Sequence, residues 1–150
     1  MDAVLLDVAR TMARRGTCTR LRVGAVLAVD GRICSTGFNG SPHGLPHCTH
    51  TLGETFNALP DEVVTCQTSV HAEANAVAFA ARHGVSIQGA TLYVTHTPCI
   101  HCAMLLVNAG IVRVVCAARY RLSAGVDVLR LAKIDLWIYE NDALECWVES

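Results

Sequence analysis

The spacing of apolar residues predicts an opening helix followed by a hairpin of two strands. The helix ends near residue 15, and its apolar positions lie three or four residues apart at Val4, Leu5, Val8, Ala9 and Met12. Two short apolar runs, over 23–29 and 32–37, flank the dipeptide Asp30-Gly31, which is typical of a two-residue hairpin turn. The chain is therefore expected to begin α-β-β.

Beyond residue 70 the helical and strand patterns alternate. The predicted helices span 71–83, 98–110 and 123–133, and the predicted strands span 91–95, 111–117 and 134–139. Thr97 can cap the second of these helices, and Pro98 suits its first position. Strands that alternate with helices after a hairpin predict an α/β fold, a three-layer α/β/α sandwich around a central five-stranded mixed sheet whose later strands are parallel.

Residues 38–69 separate these two parts and show no sustained period. They hold three of the four prolines. A stretch of this length without secondary structure inside a compact domain is usually functional, or is held by something other than an apolar core.

Composition fits a single domain over residues 1–150. With 52% hydrophobic and 17% charged residues and a mean hydropathy of +0.36, the chain has enough apolar material for a packed core, which excludes disorder. The formal net charge of -1 gives no overall field that would attract a nucleic acid or an anionic membrane, so neither is expected as a partner.

The N-terminal residues show no basic stretch followed by an apolar core and a cleavage site. No apolar stretch reaches the roughly 18 residues of a membrane span. We therefore expect a cytoplasmic protein, in which the eight cysteines are reduced.

Histidine and cysteine form a metal-ligand pattern at two predicted helix starts. His71 opens one helix, and Cys99 and Cys102 lie in the first turn of another. The helix dipole favours thiolates at that position. One imidazole and two thiolates leave the fourth position of a tetrahedral zinc ion open for water, as in catalytic zinc sites. The pattern predicts a catalytic zinc ion held by these three residues.

Glu73, two residues after His71, supplies a carboxylate beside this set. Such a group can take a proton from metal-activated water and give it to a leaving nitrogen. His-x-Glu followed by Pro-Cys-x-x-Cys is the pattern of zinc deaminases, which hydrolyse amino groups of nucleobases. The sequence predicts a hydrolytic deaminase in which Glu73 is catalytic.

Two other interpretations of these residues stay open. Cys99 and Cys102 match the spacing of a thioredoxin-like redox pair, which would leave His71 and Glu73 without a role. A structural zinc ion completed by another cysteine would make the chain a zinc-stabilised binding module, with Glu73 merely a favourable first-turn acid.

The sequence resembles the cytidine deaminase superfamily, and within it the deoxycytidylate (dCMP) deaminases. The resemblance runs from about residue 10 to 139. It is carried by the segments Val23-Gly24-Ala25-Val26, Gly37-Phe38-Asn39-Gly40-Ser41-Pro42, Gly44-Leu45-Pro46-His47-Cys48, His71-Ala72-Glu73-Ala74-Asn75-Ala76, Leu92-Tyr93-Val94-Thr95 and Asn108-Ala109-Gly110-Ile111.

The resemblance implies hydrolysis of dCMP to dUMP with release of ammonia, with zinc on His71, Cys99 and Cys102 and proton transfer by Glu73. It also implies a homo-oligomer, with a hexamer favoured, and regulation by dCTP and dTTP. The zinc motif alone also fits deaminases of other nucleotides, nucleosides or bases, including modified cytosine nucleotides, cytidine, guanine and tRNA adenosine. These are the alternatives.

Three positions are expected at the substrate by the same resemblance. Asn39 corresponds to an Asn that lines the nucleotide pocket, the backbone at Ala72 faces the pyrimidine edge, and Tyr120 matches a position near the nucleotide. Phe38 stands where the family usually has Tyr, so a contact made by that hydroxyl is lost.

A 5′-phosphate requires cationic or amide donors. Arg22 and Arg121 are the predicted phosphate ligands, and Arg20 and Arg119 belong to the same group of candidates. Residues 119–121 follow a parallel strand at its carboxyl end, where ligands of α/β proteins tend to bind.

Some dCMP deaminases carry a second, structural zinc ion near the long loop. The residues predicted to bind it here are Cys18, Cys48, Cys66 and His50. Four such ligands would form a closed site that orders a segment unable to bury much apolar surface.

The remaining cysteines and histidines have plainer interpretations. Cys34, Cys116 and Cys146 are expected to behave as small hydrophobic residues of the core. His96 and His101 lie near the metal motif in sequence and are expected to be exposed, or to lie behind the metal ligands.

Overall fold

The computed structural model describes residues 1–48, 66, 68–120, 123–140 and 143–147. Within these ranges the helices are α1 (Asp2–Ala13), α2 (Ala72–Arg82), α3 (Ile100–Asn108) and α4 (Ala124–Leu131). The strands are β1 (Gly24–Val29), β2 (Arg32–Phe38), β3 (Thr91–Val94), β4 (Arg113–Cys116), β5 (Asp135–Glu140) and β6 (Ala143–Cys146). The predicted order α-β-β-α-β-α-β-α-β is confirmed, and β6 follows it.

The strands form one mixed sheet in the order β2-β1-β3-β4-β5-β6. β1 is antiparallel to both β2 and β3, while β3, β4 and β5 are parallel. The predicted mixed sheet with parallel later strands is therefore confirmed, with six strands instead of five.

Helices cover both faces of this sheet. On one face Leu6 and Ala9 of α1 pack against Val26 of β1 and Val115 of β4. On the other face the core contains residues of α2, α3 and α4 packed against strand residues, which include Ala76, Leu106, Leu129, Leu92 and Leu136. Alternate strand residues point to opposite faces, so each strand serves both cores. This is the expected three-layer sandwich.

The sixth strand escapes sequence-based prediction because it buries little. β6 pairs antiparallel with β5 at the sheet edge, and its residues are exposed or half-buried. An edge strand of this kind lacks the apolar alternation that marks a strand in a sequence. The expectation that Cys146 belongs to the core is wrong, since Cys146 is exposed.

The start of α3 also differs from the prediction. Cys99 is its N-cap residue, two positions after the predicted cap at Thr97. The hydroxyl of Thr97 instead accepts a hydrogen bond from the backbone N–H of Tyr120 at 2.8 Å. Thr97 therefore joins the ends of two strands, and Cys99 occupies the helix terminus.

None of the helices in the described parts of the chain combines the length and apolar character needed to cross a bilayer.

Candidate active site

Two helix starts bring the predicted metal ligands together. His71 is the N-cap residue of α2, Cys99 is the N-cap residue of α3, and Cys102 lies in the first turn of α3. α2 and α3 pack on the same face of the sheet and contact each other. We call His71, Cys99 and Cys102 the ligand trio.

The spacing of the ligand trio fits a zinc ion. Nδ1 of His71 lies 3.4 Å from Sγ of Cys99 and 3.4 Å from Sγ of Cys102. With ordinary zinc–nitrogen and zinc–sulfur bonds, tetrahedral coordination separates such ligand atoms by about 3.6 Å. Three protein ligands occupy three of the four positions that zinc prefers and leave one for a further molecule.

Hydrogen bonding within the ligand trio shifts the pKa values of its side chains in different directions. The hydrogen bond with Cys102 and the neighbouring His71 hold the pKa of the Cys99 thiol well below its usual range. The same contact raises the pKa of Cys102, and the hydrogen bond with Cys99 raises the pKa of His71. A thiolate is the form of cysteine that binds a metal, so the environment already favours ligation at Cys99.

Glu73 lies in the first turn of α2 beside the ligand trio and is only 4% exposed. Burial raises the pKa of its carboxyl, because the charged form is disfavoured away from water. The Glu73 carboxyl is one of the neighbouring groups that raise the pKa of the Cys102 thiol. A carboxyl that holds a proton at higher pH than an exposed one is suited to accept and return a proton during a reaction.

A cavity of about 410 Å³ opens onto this group, and its wall includes His71, Glu73 and Cys99. This volume lies within the range of pockets that bind small molecules. Glu73 and two residues of the ligand trio therefore line the same space.

Three of the predicted substrate-binding residues lie in the cavity wall, namely Asn39, Ala72 and Tyr120. Arg22 is exposed and lies outside the described wall. Arg121 lies outside the described residues.

Arg20, and not the predicted Arg22, lies in the cavity wall. Arg119 points elsewhere: it pairs with Glu140 at 3.3 Å, and its guanidinium lies 4.3 Å from the ring centroid of Trp147. Of the described arginines in the candidate group, Arg20 is the one that reaches the cavity.

Asn39 shapes the cavity wall through backbone hydrogen bonds. Its Oδ1 accepts from the N–H of Val23 at 2.8 Å, and its Nδ2 donates to the carbonyl of Leu21 at 2.7 Å. Its own carbonyl accepts from Thr17 N–H at 3.0 Å. Asn39 therefore holds the segment 17–23, which carries four of the cavity residues, Cys18, Arg20, Leu21 and Val23.

Thr97 was not predicted as a site residue, yet it organises the opposite wall. It is 4% exposed, and its N–H donates to the carbonyl of Ala118 at 3.1 Å. Its hydroxyl accepts from Tyr120 N–H, as described above. Together these bonds hold residues 118–120 beside the start of α3. The only sequence signal was a hydroxyl beside Pro98, which we interpreted as a helix cap.

A second group of thiols lies next to the cavity. The sulfurs of Cys18, Cys48 and Cys66 all lie within 4.8 Å of one another, and we call these residues the thiol cluster. Burial and hydrogen bonds with the other two thiols raise the pKa of Cys48 to about 11. The structure thus brings together three of the four predicted ligands, and His50 lies outside the described residues.

Hydrogen bonds hold the described backbone beside the thiol cluster. Cys48 N–H donates to Oγ of Ser41 at 3.1 Å, and Gly40 and Val70 form a two-bond antiparallel bridge of 3.1 and 2.8 Å. Cys18 and Cys66 also line the cavity. This second group therefore forms part of the same wall as Asn39 and Arg20.

The two histidines near the Cys motif differ from each other. His101 is exposed, as expected, whereas His96 is half-buried and lines the cavity. The sequence leaves two alternatives open for His96, an exposed residue or one behind the metal ligands, and the structure shows a half-buried residue in the cavity wall.

The chain matches known proteins over most of its length. The family model for the cytidine and deoxycytidylate deaminase zinc-binding region matches residues 1–118. Deoxycytidylate deaminase of Enterobacteria phage T4 is 31% identical over 90% of this chain and 88% of its own. Deoxycytidylate deaminase of Mycobacterium phage D29 is 40% identical over 76% of this chain and 91% of its own.

A solved structure shares the fold as well. The dCMP deaminase of cyanophage S-TIM5, in complex with dCMP and dUMP, superposes with a TM-score of 0.78 at 29% identity, covering 91% of this chain and 94% of its own. The family model spans the ligand trio, Glu73 and every described residue of the cavity wall except Tyr120. The chain belongs to the family of zinc-binding cytidine and deoxycytidylate deaminases.

Proposed function

We propose that the protein hydrolyses dCMP to dUMP and ammonia. The observation that carries this proposal is the buried Glu73 carboxyl beside the ligand trio at one cavity. The cyanophage relative, whose structure contains both dCMP and dUMP, supports the choice of nucleotide. Water adds to C4 of the pyrimidine, the bond from C4 to the exocyclic nitrogen breaks, and ammonia leaves.

His71, Cys99 and Cys102 would hold the catalytic zinc ion. A zinc ion there supplies the Lewis acidity that makes water nucleophilic at neutral pH. Glu73 takes one proton from the attacking water and delivers it to N3 of the ring. It then takes the remaining proton from the new C4 hydroxyl and gives it to the departing amine, which leaves as ammonia. Its burial fits this role, because the raised pKa of the carboxyl makes the protonated form accessible during the reaction.

The cavity wall would hold the nucleotide in place. Ala72 is fully buried and presents backbone to the pyrimidine edge, and Tyr120 supplies an aromatic ring. Arg20 is the described cation in the wall and binds the 5′-phosphate in this proposal, in place of Arg22. Asn39 contributes by holding the segment that carries Arg20.

A second zinc ion would bind the thiol cluster and have a structural role. The three sulfurs of Cys18, Cys48 and Cys66 are close enough to share one ion. The raised pKa of Cys48 means that this buried thiol keeps its proton until a metal binds, so binding would release a proton. A fourth ligand, predicted to be His50, would close the site.

We further propose a cytoplasmic homo-oligomer. The outer face of α3 supports oligomer formation, because Ile100, Met104 and Leu105 are exposed and the helix carries no charged residue. Light scattering measures the mass, and a hexamer is the expected result. Regulation by dCTP and dTTP stays a prediction, tested by adding each nucleotide to the assay.

The substrate is tested by measuring ammonia release from dCMP, CMP, dCTP, deoxycytidine and adenosine. The highest kcat/KM is expected for dCMP. A higher kcat/KM for another compound would make that compound the substrate, with the same deamination chemistry. Zinc binding without release of ammonia from any of these compounds would favour a binding module.

A further inference from the structure

His96 lies in the cavity wall, and the mechanism above gives it no role. It follows β3, precedes Cys99 by three residues and is half-buried. Its Nδ1 lies 3.1 Å from Oγ1 of Thr95. The ring is therefore held at one nitrogen, and Nε2 is its other polar atom.

Thr95 is itself fixed in position. Its N–H donates to the carbonyl of Gly24 at 3.1 Å, and its Oγ1 accepts from the N–H of Gly24 at 3.2 Å. Gly24 packs so closely against Ala9 and Ala13 of α1 that a side chain would collide with their backbone. The hydroxyl that holds His96 is thus anchored to the core of the sheet.

This anchoring favours one position for the proton on His96. The Thr95 hydroxyl is buried, and its oxygen already accepts from Gly24, so its own proton needs an acceptor. Nδ1 of His96 is the atom that the described residues place beside it. A neutral imidazole that accepts at Nδ1 carries its proton at Nε2. Burial lowers the pKa of His96, which favours this neutral form.

We propose that His96 is a specificity-determining residue that donates its Nε2–H to an uncharged oxygen of the substrate's nucleoside half, either the base carbonyl or a sugar hydroxyl. The assignment rests on the proposed function. A neutral N–H matches an uncharged oxygen, whereas the phosphate is matched by the cationic Arg20 in the same wall. His96 shares the cavity wall with Glu73 and Cys99, beside which the reacting ring would lie.

The surrounding backbone makes this donor rigid before substrate binds. His96 lies between Thr95, which is bonded to Gly24, and Thr97, which is bonded to Ala118 and Tyr120. A donor held in this way loses little conformational freedom on binding, so it contributes to affinity and to selection.

The first test compares His96→Leu with His96→Gln, using dCMP and deoxycytidine as substrates. Leu removes the donor, and KM is expected to rise about tenfold for both substrates with kcat changed less than threefold, as for a contact equal in ground and transition states. Gln retains an N–H donor, and part of the affinity is expected to return. A rise in KM confined to dCMP would place His96 at the phosphate and overturn the proposal.

The second test identifies the acceptor with two analogues of dCMP, the 2-thio base and the 2′,3′-dideoxy sugar. If the base carbonyl accepts, the 2-thio analogue binds wild type several-fold more weakly than dCMP does, and His96→Leu removes most of that difference. If a sugar hydroxyl accepts, the dideoxy analogue binds wild type several-fold more weakly than dCMP does, and His96→Leu removes most of that difference. If the loss of affinity caused by each analogue, relative to dCMP, is as large in His96→Leu as in wild type, the proposal is contradicted.

Two controls separate this result from other failures. The melting temperature and zinc content of each variant are measured first. If His96→Leu does not fold, the same comparisons are made with His96→Gln. Its rise in KM is expected to be smaller but must still appear with both substrates. Absence of ammonia release by the wild type would refute the proposed function, whereas an active wild type with an unaffected His96→Leu would refute the role of His96 alone.

Discussion

The ligand trio and the thiol cluster border the same cavity but are built in different ways. His71, Cys99 and Cys102 stand at the starts of two helices that pack on the sheet. Cys18 and Cys48 come from irregular backbone, held by hydrogen bonds of Asn39 and Ser41. The ligand trio therefore takes its geometry from the sheet and helices. The geometry of the thiol cluster depends on local hydrogen bonds and would depend on a bound metal ion.

Removing one ligand of the trio should have the largest effect. Cys102→Ala is expected to abolish metal binding at that site and to lower kcat/KM for dCMP by about 1000-fold or more, since the nucleophile is no longer generated at neutral pH. Metal analysis and the ammonia assay measure the two effects. The melting temperature should fall modestly, because helix packing, and not the metal, builds this region. Complete unfolding of Cys102→Ala would erase the contrast between the two sites.

The same contrast determines what could be predicted from the sequence. His71 and Cys99 each follow an extended segment and begin a periodic helix, so motif spacing and element boundaries place them together without knowledge of the fold. The order of the first nine elements follows from local periodicity for the same reason. Contacts between distant backbone segments cannot be predicted in this way.

Four residues and one strand illustrate that limit. Thr97 and His96 lie in one short stretch. The role of Thr97 depends on the backbone N–H of Tyr120, and that of His96 depends on the Thr95 hydroxyl, and only the folded sheet brings these groups together. Arg20 and Arg22 are alike in sequence, and only the course set by Asn39 decides which one lines the cavity. The weakly buried β6 left no periodic pattern at all.

Disrupting the thiol cluster should separate stability from catalysis. Cys48 does not belong to the described cavity wall, so Cys48→Ser tests the cluster without altering that wall directly. We expect bound zinc to fall from two ions to one per chain, the melting temperature to drop and KM for dCMP to rise about tenfold, because metal binding orders a segment with little core. The value of kcat should stay within about threefold.

The matched control for this change is Cys146→Ser. Cys146 is exposed and belongs to neither group, so metal content, melting temperature and KM should equal those of wild type. One zinc ion per wild-type chain, unchanged by Cys48→Ser, would show that the thiol cluster binds no metal.

Asn39 connects the two regions, and its removal should have a smaller effect. Asn39→Ala leaves the Val23 N–H and the Leu21 carbonyl without their partner, at a cost of about 1–3 kcal/mol in unfolding free energy. KM for dCMP should rise several-fold as segment 17–23 loosens. Asn39→Asp keeps the acceptor for Val23, so its unfolding free energy and its KM should lie between those of wild type and Asn39→Ala. Denaturation and steady-state assays measure these two quantities. A loss of kcat with unchanged KM and stability would contradict this positioning role.

The smallest effect is expected for a change at Asp2, which lies outside the described cavity wall. Asp2 accepts two hydrogen bonds from Arg113, at 2.9 and 3.1 Å, and one from the Tyr93 hydroxyl at 2.7 Å. The Arg113 hydrogen bonds hold the pKa of the Asp2 carboxyl below its usual value. Asp2→Asn should lower the unfolding free energy by about 1 kcal/mol at neutral pH, with metal content and KM unchanged.

The pH dependence of this stabilisation has a definite direction. A carboxyl whose pKa is lowered on folding stabilises the protein above its unfolded pKa, near 3.8, and that stabilisation is lost as the pH falls through the lower folded value. The curves of wild type and Asp2→Asn against pH should therefore converge in acid. Parallel curves down to pH 2, measured by urea denaturation, would show that this ion pair is not responsible.

Ammonia release from dCMP by Glu73→Gln, together with its zinc content, tests the central claim most directly. Gln nearly preserves the shape of the buried side chain but cannot carry the proton, so zinc at the ligand trio should be retained while kcat falls by about 10²–10⁴-fold. A variant that keeps its zinc and the full wild-type rate would contradict the account.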